Sequence, residues 1–156
     1  MSEGDKRKGE TDGVVLIHTD GGCRGNPGPG AWAAVLASDA QRKEIVGTDP
    51  RTTNNRMELM AAISALEALK RPSRAKIVTD SEYLRLGITI WLPNWVKKNW
   101  KTSARKPVLN RDLWERLVAL TRAHQVEWGW VKGHGGDEEN ERCDHLVNQA
   151  LDGMGA

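Results

Sequence analysis

Apolar residues recur along this chain with two periods, and the change from one to the other divides it into strands and helices. The apolar run Val14–Ile17 leads into Thr19 and Asp20, and Val14–Asp20 reads as a strand. Ala31–Ala37, bounded by Gly30 and Ser38-Asp39, reads as a second strand and Lys43–Thr48 as a third. The short connection through Ser38–Gln41 predicts an antiparallel hairpin, and the glycines and prolines of Gly21–Gly30 predict a longer, shaped loop. Thr53, Asn54 and Asn55 then offer N-cap side chains to a helix with Leu59, Ala62, Ile63, Leu66 and Leu69 on one face. Lys70-Arg71 close that helix and Pro72 prevents its continuation. Ala75–Thr79 is a short strand that a right-handed crossover would lay parallel to a neighbour. Ser81 caps a helix to about Ile88, and Trp91–Leu109, bracketed by Pro93 and Pro107, reads as a short helix followed by an exposed basic loop. Asn110 caps a helix to about His124, with Leu113, Trp114, Leu117, Val118 and Leu120 inward. Val126–Val131 is a final strand and Gly133–Glu139 a glycine-rich loop. Asn140–Leu151 is the last helix, with Cys143, Val147, Ala150 and Leu151 inward. The order βββαβα, basic insert, αβα predicts an α/β fold with a mixed sheet covered by helices.

The chain's 156 residues fit one domain, over 14–152, with a disordered tail at 1–13 and a flexible one at 153–156. No apolar stretch is long enough to cross a bilayer, and the polar N-terminal segment has no signal-peptide core, so a cytoplasmic location is expected. Tryptophan is abundant and phenylalanine absent, so indoles carry most of the aromatic burial. Two cysteines, Cys23 and Cys143, are too few for a disulfide scaffold and lack zinc spacing; they read as reduced thiols, redox-sensitive only if the fold brings them together. The net charge of +2 specifies no partner, but its distribution does more. No acidic residue falls between Tyr83 and Arg111, where Arg85, Lys97, Lys98, Lys101, Arg105, Lys106 and Arg111 interleave with Trp91, Trp95 and Trp100. Such a stretch is either a nucleic-acid surface or a solvated helix face with its indoles tucked into the core.

The candidate chemistry lies at the element junctions. Asp20 and Asp80 each end an apolar run, and Glu58 and Asp144 lie on the flanks of two helices. Each has an ordinary structural alternative: an Asx-turn for Asp20, a capping box with Asn55 for Glu58, a helix start for Asp80, a first-turn acid for Asp144. A mixed sheet would bring all four together. Carboxylates about 4–5 Å apart repel by roughly 3–4 kcal/mol per pair at an effective dielectric near 20. Divalent cations relieve that repulsion, and oxygen-only ligation suits Mg²⁺ or Mn²⁺ rather than zinc. His134, set between glycines, is a candidate proton shuttle, or else a surface histidine. The Gly21–Gly30 segment lacks the Gly-Lys-Ser/Thr ending of a P-loop and opens no helix, but its bare backbone permits close approach to a sugar.

Five segments together resemble type 1 ribonuclease H of the bacterial kind. They are Thr19 to Gly28, Thr53 to Leu59, Thr79-Asp80-Ser81, Trp91 to Thr102, and Val131 to His134 with Asn140 to Asp144. The resemblance implies a ribonuclease H-like fold: a five-stranded mixed sheet, three strands antiparallel plus two parallel, flanked by helices and carrying a basic handle. It implies an endonuclease that cleaves the RNA strand of an RNA–DNA hybrid and leaves 5′-phosphate and 3′-hydroxyl ends. Asp20, Glu58, Asp80 and Asp144 match the ligands of two Mg²⁺ ions, with Mn²⁺ able to substitute. On that match Asp20 bridges the ions, Asp144 holds the ion at the attacking water, and Glu58 and Asp80 hold the one at the leaving oxygen. His134 would assist proton transfer or product release. The Cys23 backbone, Asn26, Asn54, Asn55 and Glu58 would line the minor groove. Arg51, Thr53 and Asn110 would grip a DNA phosphate, Trp91 and Trp95 would form a channel against deoxyribose, and Lys97, Lys98, Trp100 and Lys101 belong to the handle. The partner is the hybrid duplex; a monomer with no obligate protein partner and no membrane is expected.

Some positions depart from that pattern. Asn99 stands at a turn where glycine is common, Glu82 where a neutral amide is common, and Asp137, Glu138 and Glu139 make the His134 loop unusually acidic. Two rival readings remain: a catalytically silent hybrid-binding module, which the intact carboxylate set opposes, and a polynucleotidyl transferase such as an integrase, which the handle opposes.

Overall fold

The computed structural model describes residues 13–39, 41–101, 108–132 and 137–156. Five strands, β1 (Val14–Cys23), β2 (Gly28–Ala37), β3 (Arg42–Thr52), β4 (Arg74–Thr79) and β5 (Gln125–Trp130), form one sheet in the order β3-β2-β1-β4-β5. The first three are antiparallel; β4 runs parallel to β1 and β5 parallel to β4. This is the α/β mixed sheet that the residue pattern predicts, and Ser38 N–H closes the expected hairpin on Gln41 O at 2.8 Å.

Helix α1 (Asn54–Glu67) covers one face and α5 (Glu138–Gly153) the other. The two-residue period of β2 feeds both: Ala34 and Leu36 join Ile17, Leu59, Ile63, Leu66 and Ile77 under α1, while Ala33 and Val35 join Cys143, Val147 and Leu151 under α5. A strand buried on both faces reads as a continuous apolar run, which is how Ala31–Ala37 reads. Helix α1 is itself sandwiched between the sheet and α4 (Arg111–Ala123), whose Trp114 and Leu117 are fully buried. Each large side chain in this layer contributes roughly 1.5–3 kcal/mol by leaving water.

Several boundaries correct the sequence reading. The long loop expected over Gly21–Gly30 is mostly strand: β1 continues to Cys23, β2 begins at Gly28, and only four residues turn between them. The glycines serve close approach instead. A Cβ on Gly21 would stand 2.4 Å from the Met57 carbonyl carbon and 2.5 Å from Glu58 N, and one on Gly30 would stand 2.4 Å from Thr52 Cγ2. Helix α1 stops at Glu67, short of Lys70-Arg71. Ser81 caps α2 (Glu82–Leu86), as expected, but the helical path continues through a π turn at Gly87–Trp91 into α3 (Leu92–Lys97). That wider turn precedes Pro93, whose ring would collide with a carbonyl four residues back in a regular helix.

Helix α5 starts two residues before Asn140, because Asp137 is its N-cap and accepts from Asn140 N at 3.0 Å. It runs on through Gly153, and Arg24 Nη1 donates to Asp152 Oδ1 at 2.7 Å and to Ala156 O at 2.6 Å. The expected flexible tail at 153–156 is therefore tied to the β1–β2 turn. Residues 1–12 lie outside the described residues. No helix among those described is long and apolar enough to cross a membrane.

Candidate active site

Strand β1 pairs with β4 only as far as His18↔Val78, while its pairing with β2 continues to Cys23↔Gly30. Asp20 therefore sits within the strand, not at its end, beside the point where its parallel neighbour stops. Asp80 follows the last residue of β4, and Glu58 reaches in from α1, which Gly21 allows to lie against the β1 backbone. Carboxylate oxygens of Asp20, Glu58 and Asp80 all lie within 4.8 Å of one another. Asp144 stands on α5, outside that cluster but close enough for its charge to act on Asp20.

The ordinary alternatives for these four acids fail one by one. Asp20 is paired strand rather than an Asx-turn. The N-cap of α1 is Thr53, whose side chain accepts from Arg56 N at 3.2 Å, so Glu58 lies outside any capping box. Ser81, not Asp80, caps α2 by accepting from Leu84 N. Asp144 is the seventh residue of α5, beyond its first turn.

The electrostatics are those of a crowded anionic pocket. Burial, then Asp80, then Asp144 push the Asp20 carboxyl up to about 7, with the Gly21 amide opposing. Glu58 is 7 % exposed and is held well above the ordinary carboxylate range, chiefly by burial and then by Asp20 and Asp80. Its Oε1 is buried with no hydrogen-bond partner among the described residues. A native fold keeps few such atoms, and three crowded carboxylates sharing one orphaned oxygen form a donor set that a hard cation would complete.

The residues expected to hold substrate form two neighbouring groups. Cys23 Sγ lies within reach of the carbonyls of Gly25, Gly28 and Thr52, at 2.8, 3.2 and 3.3 Å. The exposed Asn26 accepts from Asn54 N at 3.1 Å, which joins the β1–β2 turn to the first turn of α1 that also holds Asn55. Arg51 is exposed at the end of β3. Asn110 corrects its expected role: it has a left-handed backbone, φ 62°, and its side chain caps nothing. Its Oδ1 instead accepts from Arg56 Nη1 at 3.2 Å, and its Nδ2 donates to the Tyr83 hydroxyl at 3.1 Å.

In the basic stretch, a solvated face with indoles tucked into the core holds for part of the segment. Trp95 packs edge-on against buried Trp114 at 5.5 Å, and Trp100 joins the same layer, so two of its indoles do serve the core. Trp91 is half-buried between Tyr83 and Trp95, at 5.7 Å from each ring. Lys97, Lys98 and Lys101 are exposed. Asn99 takes the left-handed conformation its residue type suits, and Trp100 does too, at φ 64°, its ring held under the Arg111 guanidinium at 5.8 Å.

His134 lies outside the described residues. Two of the acidic residues after it are engaged: Asp137 caps α5 and meets His18 Nε2 at 3.3 Å, and Glu139 takes a two-pronged bond from Arg42 at 2.8 and 2.9 Å. Glu82 pairs with Arg85. Cys23 and Cys143 are both free: Cys143 packs under α5, while the Cys23 thiol lies against the carbonyls of Gly25, Gly28 and Thr52. Cys143 Sγ bonds His18 O, five strand residues from Cys23, about 17 Å of β1. Burial pushes the Cys143 thiol up to about 12. Sequence reasoning gave no role to Gly21, His18 or Arg56. Only Gly21 left a signal, as a glycine directly after a site acid.

A family model described as RNase H matches residues 12–152. The Ribonuclease H of Halorhodospira halophila is 57 % identical over 143 residues, covering 92 % of this chain and 96 % of its own. That of Methylococcus capsulatus is 55 % identical over 143 residues, covering 92 % of both chains. Among solved structures, LC9-RNase H1, a type 1 RNase H with the type 2 active-site motif, superposes with a TM-score of 0.80 at 32 % identity, over 90 % of this chain and 72 % of that one.

Proposed function

This chain belongs to the ribonuclease H family, and from that premise we propose that it is a metal-dependent endonuclease hydrolysing the RNA strand of RNA–DNA hybrids. The observation that carries the reading is the cluster of Asp20, Glu58 and Asp80, with the buried and unpartnered Glu58 Oε1. These oxygens and Asp144 fit a pair of Mg²⁺ ions, and Mn²⁺ offers the same hard-cation chemistry. When bound, such a pair supplies Lewis-acid stabilisation of the entering and departing oxygens of an in-line displacement, leaving 5′-phosphate and 3′-hydroxyl ends. The protein's own share is to hold the carboxylates rigidly before any ion arrives. Asp20 is fixed by strand pairing on its β2 side, and Glu58 by the contact of α1 with Gly21. His134 is assigned the proton transfer or product release.

Substrate choice rests on shape. Asn26, Asn54, Asn55 and the Cys23 backbone form a polar ledge suited to a minor groove and its 2′-hydroxyls. Arg51, Thr53 and Asn110 are assigned a DNA phosphate, Trp91 and Trp95 the adjoining deoxyribose, and Lys97, Lys98, Trp100 and Lys101 a sequence-independent grip on the backbone. The protein acts in this reading as a cytoplasmic monomer. Asp20→Asn tests it: cleavage of a labelled hybrid in Mg²⁺ should vanish while hybrid binding survives. Retained turnover in that variant refutes the assignment.

A further inference from the structure

Arg56, in the first turn of α1, makes a two-pronged ion pair with Asp112 at 2.8 and 3.0 Å, and the same Nη1 donates to Asn110 Oδ1 at 3.2 Å. On the other side of that amide, Asn110 Nδ2 donates to the Tyr83 hydroxyl, which also accepts from Trp114 Nε1 at 2.9 Å. A phenol can donate or accept, so Tyr83 alone would tolerate either orientation of the Asn110 amide. A guanidinium only donates, so Arg56 permits one. It fixes Oδ1 toward itself, and Nδ2 keeps a second hydrogen with no partner among the described residues. Asp112 meanwhile offsets the Arg56 charge through both of its prongs.

We propose that Arg56 is a positioning residue for the phosphate grip: it locks the Asn110 amide so that a hydrogen, and not a carbonyl oxygen, faces the anionic backbone of the substrate. This rests on the reading of Asn110 as part of a phosphate pocket. A flipped amide would turn a lone pair toward the phosphate and convert an attraction into a repulsion. Because Asp112 neutralises it, Arg56 does not itself draw the phosphate. Asn110 and Arg56 are 54 residues apart, so the pairing exists only in the fold.

The test is steady-state cleavage of an RNA–DNA hybrid in Mg²⁺, over a range of salt, by Asn110→Ala, Arg56→Gln, Arg56→Lys and the double variant Arg56→Gln with Asn110→Ala. Each single variant should raise KM on the order of tenfold, the loss of one hydrogen bond to a charged group, with kcat little altered. Lysine keeps the charge but not the fork, so Arg56→Lys should behave like Arg56→Gln. The double variant should be no worse than Asn110→Ala, and the salt slope should stay that of the parent. Wild-type KM in Arg56→Lys, or effects that add in the double variant, would overturn the proposal. So would a slope reduced by about 0.7–0.9, which would mean that Arg56 itself neutralises a phosphate. Loss of Tm with KM unmoved would also overturn it and leave Arg56 a purely structural role. Should Asn110→Ala itself leave KM unchanged, the phosphate pocket falls and the inference falls with it. An effect in Asn110→Ala that is absent from both Arg56 variants removes the inference alone.

Discussion

Asp20 is pulled two ways, paired into the sheet beside a Gly21 amide that favours its charge and crowded by acids that oppose it. Burial and the charges of Asp80 and Asp144 move its carboxyl from its ordinary 3.8 to about 7. Against the unfolded chain, whose carboxyl keeps its ordinary value, that shift costs the cation-free folded state up to about 4 kcal/mol at neutral pH. The sign follows from proton counting. Between about pH 4 and pH 7 the folded protein holds a proton that the unfolded chain has released, so this group's effect on stability worsens as pH rises. Glu44, Asp112, Asp137 and Glu139, held below their ordinary values by hydrogen bonds and neighbouring cations, act in the opposite sense near and below pH 4. The clean quantity is therefore a difference. In EDTA, Asp20→Asn should gain stability over the parent as pH rises from 4 to 7.5, reaching about 2–4 kcal/mol in urea unfolding. Mg²⁺ should stabilise the parent and leave the variant largely unmoved. A constant difference across that range would mean that Asp20 ionises without strain. The four acids stood out in the sequence by ending apolar runs or flanking helices, and it is the fold, not the sequence, that removes their ordinary turn and cap readings. The Arg56–Asn110 bond was not legible, since nothing local in Thr53–Leu59 or around Asn110 points from one segment to the other.

Elements carry the geometry that residues exploit, and Gly21 shows how tightly. Helix α1 lies on β1 with its Met57 and Glu58 backbone where any side chain at Gly21 would stand. Gly21→Ala must push α1 away, and because the obstacle is backbone, no rotamer change relieves it. We expect a loss of about 3 kcal/mol in unfolding free energy. The fraction that remains folded should have a kcat far below wild type, because Glu58 moves with the helix. Wild-type stability together with wild-type kcat would show that the contact is slack. This contact also explains why the sequence misleads at Gly21–Gly30. Glycines usually mark turns, so two strand ends that are glycine-rich for the sake of a neighbouring helix read as loop. Strands made of aliphatic runs, such as Ile77-Val78, and the helix over Leu59–Leu66 carried their own signal and were read correctly. The start of α5 was misplaced for a different reason: Asp137 acts as a cap, but in the sequence it is one of three successive acids after a glycine run.

At the scale of the molecule, the mixed sheet sets up the chemistry. Antiparallel pairing on one side of β1 runs past Asp20 while parallel pairing on the other side stops short of it. That difference opens the sheet where Asp80 follows β4, with α1 bringing Glu58 from one face and α5 bringing Asp144 from the other. Asp20, Glu58 and Asp80 thus meet at a single opening, with Asp144 near enough for its charge to act on Asp20. The most direct test of this account is cleavage of a duplex with one labelled strand, compared among RNA–DNA hybrid, DNA–DNA and RNA–RNA, in Mg²⁺ and in EDTA. The account predicts cuts within the RNA strand of the hybrid alone, in Mg²⁺ alone. Equal cutting of DNA–DNA, or undiminished cutting of the hybrid in EDTA, would contradict it.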